Sequence, residues 1–121
     1  MSKKALTVDD SKTMRDMVSF TLKSAGFEVL EAEDGIQAVD MLKAGAVDVI
    51  VTDLNMPNMN GIDLIRALRA DPTHKSTPIL MLTTEADGIK KEEGKNAGAT
   101  GWIVKPFEPE KLVSVVSKVC P

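Results

Sequence analysis

The feature that most constrains the fold is the apolar stretch of residues 47–53, which ends on the carboxylate of Asp53. The stretch is rich in β-branched residues and is interrupted only by Asp48 and Thr52. Such a run is typical of a strand buried on both faces, which favours a parallel sheet covered by helices. Residues 54–61 contain proline, asparagine and glycine, which indicate a loop. Asp53 is therefore predicted at the carboxyl end of a central strand, the edge at which open α/β sheets bind ligands.

Strand and helix signals alternate along the whole chain. Besides the strand that ends at Asp53, strands are predicted at residues 5–8, 27–32, 79–82 and 101–104. A helical pattern follows each strand, with Ser11 as the N-cap of the first helix and Pro109 in the first turn of the last. The fourth helix, over residues 87–96, is predicted to be weak, because Gly88 and Gly94 each cost roughly 1 kcal/mol against alanine. Five βα units with right-handed crossovers predict an α/β fold with a parallel sheet and helices on both faces.

Length and charge limit the class of protein. The 121 residues suit one domain, which we expect to span residues 1–121 and to be monomeric. A net charge of −3 argues against nucleic acid as a partner, because neutralising phosphates needs a basic face. The apolar runs are too short to span a membrane, and the first residues do not resemble a signal peptide. The single cysteine, Cys120, cannot form an internal disulfide, which favours a cytoplasmic location.

Residues capable of chemistry fall at the ends of four predicted strands, namely Asp9 and Asp10, Asp53, Thr83 and Lys105. If the first and third strands are neighbours, three carboxylates crowd one site. Two like charges ~4 Å apart at an effective dielectric of ~20 repel by roughly 4 kcal/mol. Lys105 offsets part of this repulsion. Mg²⁺, which prefers carboxylate and carbonyl oxygens, would supply the remaining positive charge. Asp9 and Asp10 alone could simply cap the first helix, but the set together indicates an active site.

This constellation resembles the receiver domain of two-component response regulators over nearly the whole chain, and most closely the single-domain chemotaxis regulators of the CheY type. The resemblance implies a flavodoxin-like (βα)5 fold with the strand order 2-1-3-4-5. It also implies that Asp53 accepts a phosphoryl group from a phosphohistidine on a sensor histidine kinase. By the same resemblance, Asp10, Asp53 and the backbone carbonyl of Asn55 bind Mg²⁺, and Asp9 acts through a water on the metal.

The resemblance implies roles for further residues as well. Lys105 would contact a phosphoryl oxygen, and the Thr83 hydroxyl would donate to the phosphoryl group. Trp102 stands at the position of the switch aromatic, where tyrosine, phenylalanine or histidine is usual. Asn55 and Glu85 occupy the two positions that tune dephosphorylation.

Three smaller expectations complete the sequence-based picture. The peptide between Lys105 and Pro106 is expected to be cis, by the same resemblance. Thr84 follows Thr83 where many members of the family have alanine or glycine, and this bulkier side chain would narrow access to Asp53. His74, in a polar segment, is predicted to lie in solvent and to have no phosphocarrier role.

The function implied is a phosphorylation-activated switch, not an enzyme, that signals through its fourth helix, fifth strand and fifth helix. The implied partners are a chemotaxis-type kinase and a flagellar motor switch or other protein target. A phosphate sink, or a stand-alone receiver of another phosphorelay, remains an alternative.

Two other classes of protein are also open. An FMN carrier would be yellow, but Asp9 and Asp10 would repel its phosphate where backbone amides are needed. A phosphatase that acts through an aspartyl phosphate would turn over a phosphomonoester, but 121 residues leave little room for a lid.

Overall fold

The computed structural model describes residues 3–84 and 88–120. In these residues, five strands alternate with five helices: β1 (Lys4–Val8), α1 (Lys12–Ser24), β2 (Glu28–Ala32), α2 (Gly35–Ala44), β3 (Val49–Asp53), α3 (Gly61–Arg69), β4 (Ile79–Thr83), α4 (Gly88–Ala97), β5 (Gly101–Val104) and α5 (Pro109–Val119). None of the described helices combines the length and the apolar character that crossing a membrane requires. The alternation predicted from the sequence is confirmed.

The five strands form one parallel sheet in the order β2-β1-β3-β4-β5, which confirms the predicted flavodoxin-like α/β fold. β1 and β3 are neighbours, and Val8 lies beside Thr52 in their register. The residues that follow, Asp9 and Asp53, therefore reach the same edge of the sheet. β3 begins two residues later than the predicted stretch, because the exposed Asp48 accepts a hydrogen bond from the backbone N–H of Lys4 at 2.7 Å. Every residue of β3 is buried, as predicted for a central strand.

Two hydrophobic layers cover the sheet. On one face, α1 and α5 pack on alternate residues of the strands through Val18, Leu22, Leu112 and Val116. On the other face, α2 and α3 pack on the intervening residues through Ala38, Leu42, Ile62, Leu64, Ile65 and Leu68. Burial of both faces explains why β3 and β4 read as continuous apolar runs in the sequence.

Within residues 3–84 and 88–120, three helices begin with a side-chain cap. Ser11 accepts a hydrogen bond from the N–H of Met14 at 3.3 Å, which confirms the predicted N-cap of α1. Asp34 and Asn60 cap α2 and α3 in the same way, at 2.8 and 2.9 Å. Each cap satisfies a backbone donor that the first turn leaves unpaired. The caps fix where α1, α2 and α3 leave the loops at the carboxyl edge of the sheet.

The prediction that His74 lies in solvent is wrong, because its residue is only 3% exposed. The segment between α3 and β4 is held by Arg69, in the last turn of α3. Its Nη1 donates to the carbonyls of His74 at 2.9 Å, Lys75 at 3.2 Å and Thr77 at 2.6 Å, and its Nε donates to that of Gly98 at 3.0 Å. Burial lowers the pKa of this guanidinium. Arg69 thus anchors the backbone of this segment, in which His74 is buried while Thr73, Lys75 and Ser76 remain exposed.

Candidate functional site

Asp53 ends β3 at the carboxyl edge of the sheet and is only 8% exposed. Its Oδ1 accepts a hydrogen bond from the N–H of Leu54 at 2.9 Å and another from Nζ of Lys105 at 3.0 Å. Among the described residues, none donates a hydrogen bond to Oδ2. One oxygen of the carboxylate is therefore anchored, and the other remains available for a ligand.

Lys105 links Asp53 to a second buried carboxylate. Its Nζ also lies 3.2 Å from Oδ2 of Asp9, and the side chains of these three residues are at most 13% exposed. The backbone N–H of Lys105 donates to the carbonyl of Thr83 at 2.8 Å, which joins the end of β5 to the end of β4. The peptide before Pro106 is cis, as the resemblance implied. One ammonium group thus serves two buried carboxylates.

Asp10 completes a triad that can hold a metal ion. Carboxylate oxygens of Asp9, Asp10 and Asp53 all lie within 4.8 Å of one another. Oxygens bound to Mg²⁺ at 2.0–2.1 Å in an octahedron are ~3–4 Å apart, which is compatible with three oxygens that lie within 4.8 Å of one another. Three carboxylates against one ammonium leave an excess of negative charge, so a hard dication suits this set of oxygen donors.

The loop from β3 to α3 is packed closely on Asp53. The N–H of Gly61 donates to the carbonyl of Leu54 at 2.9 Å, and a Cβ at residue 61 would overlap the carbonyl oxygen of Asp53. Asn58 adopts a left-handed φ of 68°, and its Nδ2 donates to Oδ2 of Asp34 at 2.9 Å. The loop is thereby held to the start of α2 on one side and to Asp53 on the other.

Comparison with known proteins assigns this site to a family. Residues 5–117 match the response regulator receiver domain. The chain belongs to the receiver domain family. It is 45% identical to the chemotaxis protein CheY of Pseudomonas aeruginosa, over 96% of this chain and 94% of that protein. It is 46% identical to CheY-3 of Vibrio cholerae, over 96% and 90% of the two chains.

Solved structures of receiver domains have the same fold. Chemotaxis protein CheY4 of Vibrio cholerae, at low pH, superposes with a TM-score of 0.94 and 50% identity over 98% of this chain and 99% of that chain. The receiver domain of the sensor histidine kinase PA1611 from Pseudomonas aeruginosa superposes with a TM-score of 0.92 and 28% identity over 99% and 98%. That structure has a magnesium ion coordinated in its active-site cleft. The chain is thus a CheY-like receiver domain, a signalling switch and not an enzyme.

In this receiver domain, Thr83 and Trp102 lie on neighbouring strands. Thr83 ends β4 and is fully buried, and the register places it beside Val104 and places Met81 beside Trp102. The indole packs on α4, where a Cβ at Gly94 would lie 2.9 Å from Cζ3 of Trp102. Its Nε1 is buried with no hydrogen-bond partner among the described residues. The side chain that resembles the switch aromatic therefore contacts both β4 and α4.

The structure gives less information about the roles of two predicted site residues. Asn55 is exposed in the loop two residues after Asp53, and Glu85 lies outside the described residues. One residue beside the site was missed by the sequence analysis. Arg15, on α1, donates from Nη1 to the carbonyl of Asp9 at 2.8 Å. The available signal was its position on the same helical face as Val18 and Leu22, where a charged residue is unusual.

Burial raises the pKa of Asp53, and the nearby charge of Asp9 raises it further, while the hydrogen bond from Lys105 opposes both effects. When the pKa of a carboxyl is higher in the folded than in the unfolded state, the protein folds more readily with that carboxyl protonated. Its contribution to stability is therefore full at a pH below the unfolded pKa and is lost as the pH rises through the folded pKa. At neutral pH the ionised Asp53 opposes folding of the metal-free receiver domain.

Asp53→Asn should consequently raise the free energy of unfolding of the metal-free protein at pH 7 by about 1 kcal/mol, a common size for one favourable surface or site change. The advantage should shrink as the pH falls below the raised pKa, because the wild-type carboxyl then becomes neutral too. Urea denaturation in a chelator at several pH values measures both effects. A variant less stable than wild type at pH 7 would contradict the expectation.

Proposed function

We propose that this receiver domain accepts a phosphoryl group on Asp53 from a phosphohistidine of a chemotaxis-type sensor histidine kinase, in the cytoplasm and with Mg²⁺. The observation that carries the proposal is the buried Asp53 carboxylate, which accepts a hydrogen bond from Lys105 and has carboxylate oxygens of Asp9 and Asp10 within 4.8 Å. Similarity to chemotaxis proteins over nearly the full length of both chains supports the signalling role. The magnesium ion in the related PA1611 structure supports the metal.

In the transfer, a carboxylate oxygen of Asp53 attacks phosphorus, a P–O bond forms and the P–N bond to histidine breaks. The imidazole leaves with the electron pair of that bond and takes up a proton. Lys105 already lies 3.0 Å from Asp53 Oδ1, so its ammonium would be close enough to donate to a phosphoryl oxygen. Mg²⁺, held by Asp10, Asp53 and the Asn55 carbonyl with Asp9 acting through a water, would neutralise charge on the phosphoryl oxygens.

The product is an acyl phosphate, which reacts with water and so limits the lifetime of the signal. The rate of this hydrolysis depends on how easily a water approaches phosphorus from the side of the exposed loop. Asn55 and Glu85 are proposed to tune that approach, and the exposed Thr84 to restrict it. Tuning by side chains near the reacting atoms allows the lifetime to differ without change in the acidic triad.

Incubation with acetyl phosphate and Mg²⁺ tests the phosphorylation directly. Intact-mass measurement should detect one added phosphoryl group on the wild type and none on Asp53→Asn. Asp40→Asn is a matched control, because Asp40 is an exposed carboxylate of α2 away from the triad. Labelling of Asp53→Asn to the wild-type extent would exclude Asp53 as the acceptor.

Thr83 and Trp102 are proposed to convert phosphorylation into a conformational change. In this scheme, the Thr83 hydroxyl moves to donate a hydrogen bond to the phosphoryl group. The indole of Trp102, on the neighbouring strand β5, repacks in response. Shifting a two-state equilibrium from 1:99 to 99:1 needs roughly 5.5 kcal/mol of differential interaction. A few hydrogen bonds to a charged group, at ~1.5–3 kcal/mol each, are of the right size.

Because Trp102 is the only tryptophan in the sequence, its emission measures this step. Beryllofluoride with Mg²⁺, a stable mimic of the phosphoryl group, should change the emission of the wild type. Thr83→Ala should bind the mimic with a much smaller change. A full response in Thr83→Ala would remove the hydroxyl from the scheme, and an unresponsive wild type would mean that the indole is a fixed packing group.

The output surface is proposed to be the face of α4, β5 and α5. A groove of about 470 Å³ lies there, and its lining combines cationic and apolar side chains: Lys91, Lys95, Trp102, Val104 and Lys111. Three lysines favour an acidic partner segment, and a flagellar motor switch protein is the proposed target. A domain that only drains phosphoryl groups from the kinase would bind no such target in the beryllofluoride form, which distinguishes the phosphate-sink alternative.

A further inference from the structure

Arg15 is a buried cation that the proposed chemistry does not use. Its residue is 9% exposed, although it lies on a helix whose other charged residues face solvent. Nη1 donates to the backbone carbonyl of Asp9 at 2.8 Å, and Nε lies 3.4 Å from Oε1 of Glu31 on β2. Burying a guanidinium is costly unless its donors are paired, so this arrangement requires specific contacts.

The hydrogen bond from Arg15 to the Asp9 carbonyl also affects the orientation of Asp10, because the two aspartates are adjacent in the chain. The carbonyl of Asp9 belongs to the peptide group that joins Asp9 to Asp10, and a peptide group is planar. Fixing that oxygen therefore fixes the plane from which the Asp10 α-carbon departs. Asp10 has no hydrogen bond to any described residue, and its side chain is exposed.

Asp9 itself is held at its remaining polar atoms. Its N–H donates to the carbonyl of Ala32 at 3.1 Å. Its Oδ1 accepts from the N–H of Ser11 at 2.9 Å, and its Oδ2 lies 3.2 Å from Nζ of Lys105. Arg15 supplies the fourth contact, the one that acts on the peptide leading to Asp10.

We infer that Arg15 is a positioning residue of the metal site, which orients the carboxylate of Asp10 through the Asp9–Asp10 peptide. The inference rests on the proposed role of Asp10 as a ligand of Mg²⁺. Without the guanidinium, the peptide can rotate, and Asp10 spends less time in the orientation that completes the triad. The outer contacts of metal ligands typically change metal affinity by about 10- to 100-fold.

Arg15→Met keeps the aliphatic stem and removes the donors. We expect its dissociation constant for Mg²⁺ to rise about tenfold, measured by calorimetry well below the unfolding temperature. Labelling by acetyl phosphate should slow at limiting Mg²⁺ and recover towards the wild-type rate at saturating Mg²⁺. A merely structural residue would lower the melting temperature without moving this Mg²⁺ dependence.

Two matched variants distinguish the hydrogen bond from Arg15 to Asp9 from the effects of the Arg15 charge and its ion pair. Lys12→Met removes a positive charge from the same helix, but the Lys12 side chain is 79% exposed and pairs with Asp16. Glu31→Gln removes the carboxylate partner and leaves the bond from Arg15 to Asp9, so it should affect Mg²⁺ binding less than Arg15→Met does. Lys12→Met should bind Mg²⁺ within about twofold of wild type, the range expected for a screened surface charge. Removal of a positive charge would by itself favour Mg²⁺ binding. If Lys12→Met nevertheless weakens binding as much as Arg15→Met, a general disturbance of α1 explains the effect and the inference fails.

Arg15→Lys keeps the test decisive if Arg15→Met does not fold. A single ammonium cannot reproduce the planar fork of the guanidinium, so the affinity of Arg15→Lys for Mg²⁺ should lie between those of wild type and Arg15→Met. Where the methionine variant cannot be measured, the affinity of Arg15→Lys should be several-fold below that of wild type. Wild-type affinity in every folded Arg15 variant would overturn the inference while leaving the proposed function intact. No binding of Mg²⁺ by the wild-type protein would instead overturn the proposed function.

Discussion

Replacing Gly61 with alanine should destabilise the protein by about 2–3 kcal/mol, the upper range for overpacking. The new methyl group would overlap the carbonyl oxygen of Asp53, and it would lie 3.2 Å from the α-carbon of Leu54. Because these neighbours are backbone atoms of a fully buried strand end, α3 or Asp53 has to move. A displacement of about 1 Å at a reacting group can cost a factor of 10² in rate, so phosphorylation of Asp53 should slow by at least about tenfold.

Urea denaturation and the rate of labelling by acetyl phosphate measure the two effects of Gly61→Ala. Gly45→Ala is the matched control, because nothing lies within 4 Å of a Cβ at residue 45 and its φ of 173° is accessible to any residue. The control should change neither stability nor labelling by more than the usual surface effect of about 0.5 kcal/mol. A Gly61→Ala protein that matched this control would mean that the start of α3 does not hold Asp53 in place.

Replacing Arg69 with methionine should cost about 3 kcal/mol of stability without affecting the acidic site. The guanidinium donates to four backbone carbonyls and, at 3.3 Å, to Oγ1 of Thr100, which in turn accepts from the N–H of Ile79. Methionine fills similar space but satisfies none of these acceptors. Three of the hydrogen bonds are partly buried, and an acceptor left unpaired away from water costs about 1–3 kcal/mol. Partial entry of water into the segment around His74 would limit the loss to a fraction of the sum.

Arg66→Met controls for the loss of a cation from α3. Arg66 is one turn earlier, 59% exposed, and pairs with Asp63 at 3.4 Å, so its replacement should cost less than about 0.5 kcal/mol. Because Arg69 acts at the opposite edge of the sheet from Asp53, folded Arg69→Met should be labelled by acetyl phosphate at the wild-type rate. Equal stability of the two arginine variants, or a labelling defect specific to Arg69→Met, would contradict this account.

The strands and the acidic site could be predicted because both depend on local signals. A β-branched apolar run identified β3 and an apolar run identified β4, and a parallel sheet brings the carboxyl ends of its strands to one edge. Asp9, Asp53 and Lys105 could therefore be placed together before any contact was known. The order of the strands came from the family resemblance, because periodicity alone does not determine which strands are neighbours.

The contacts of long side chains could not be predicted in the same way. Arg69 and His74 read as ordinary polar residues, since nothing local indicates that one guanidinium collects carbonyls from two separate turns. Arg15 left a faint signal, a charge on an apolar helix face, but its acceptor lies on the backbone of another segment. Gly94 was interpreted only as a weakness of α4, whereas its bare α-carbon is where the indole of Trp102 packs.

This packing makes residues 94 and 102 interdependent during evolution. While tryptophan occupies position 102, any side chain at 94 has to displace the ring edge, which would lie 2.9 Å from the added carbon. A smaller aromatic residue at 102 would release that restriction, and α4 could then gain the helix propensity that glycine lacks. The order of substitutions therefore matters: a change at 102 opens position 94, whereas a change at 94 first meets a steric barrier. Related receivers with a bulkier residue at 94 should accordingly carry a smaller aromatic side chain at 102.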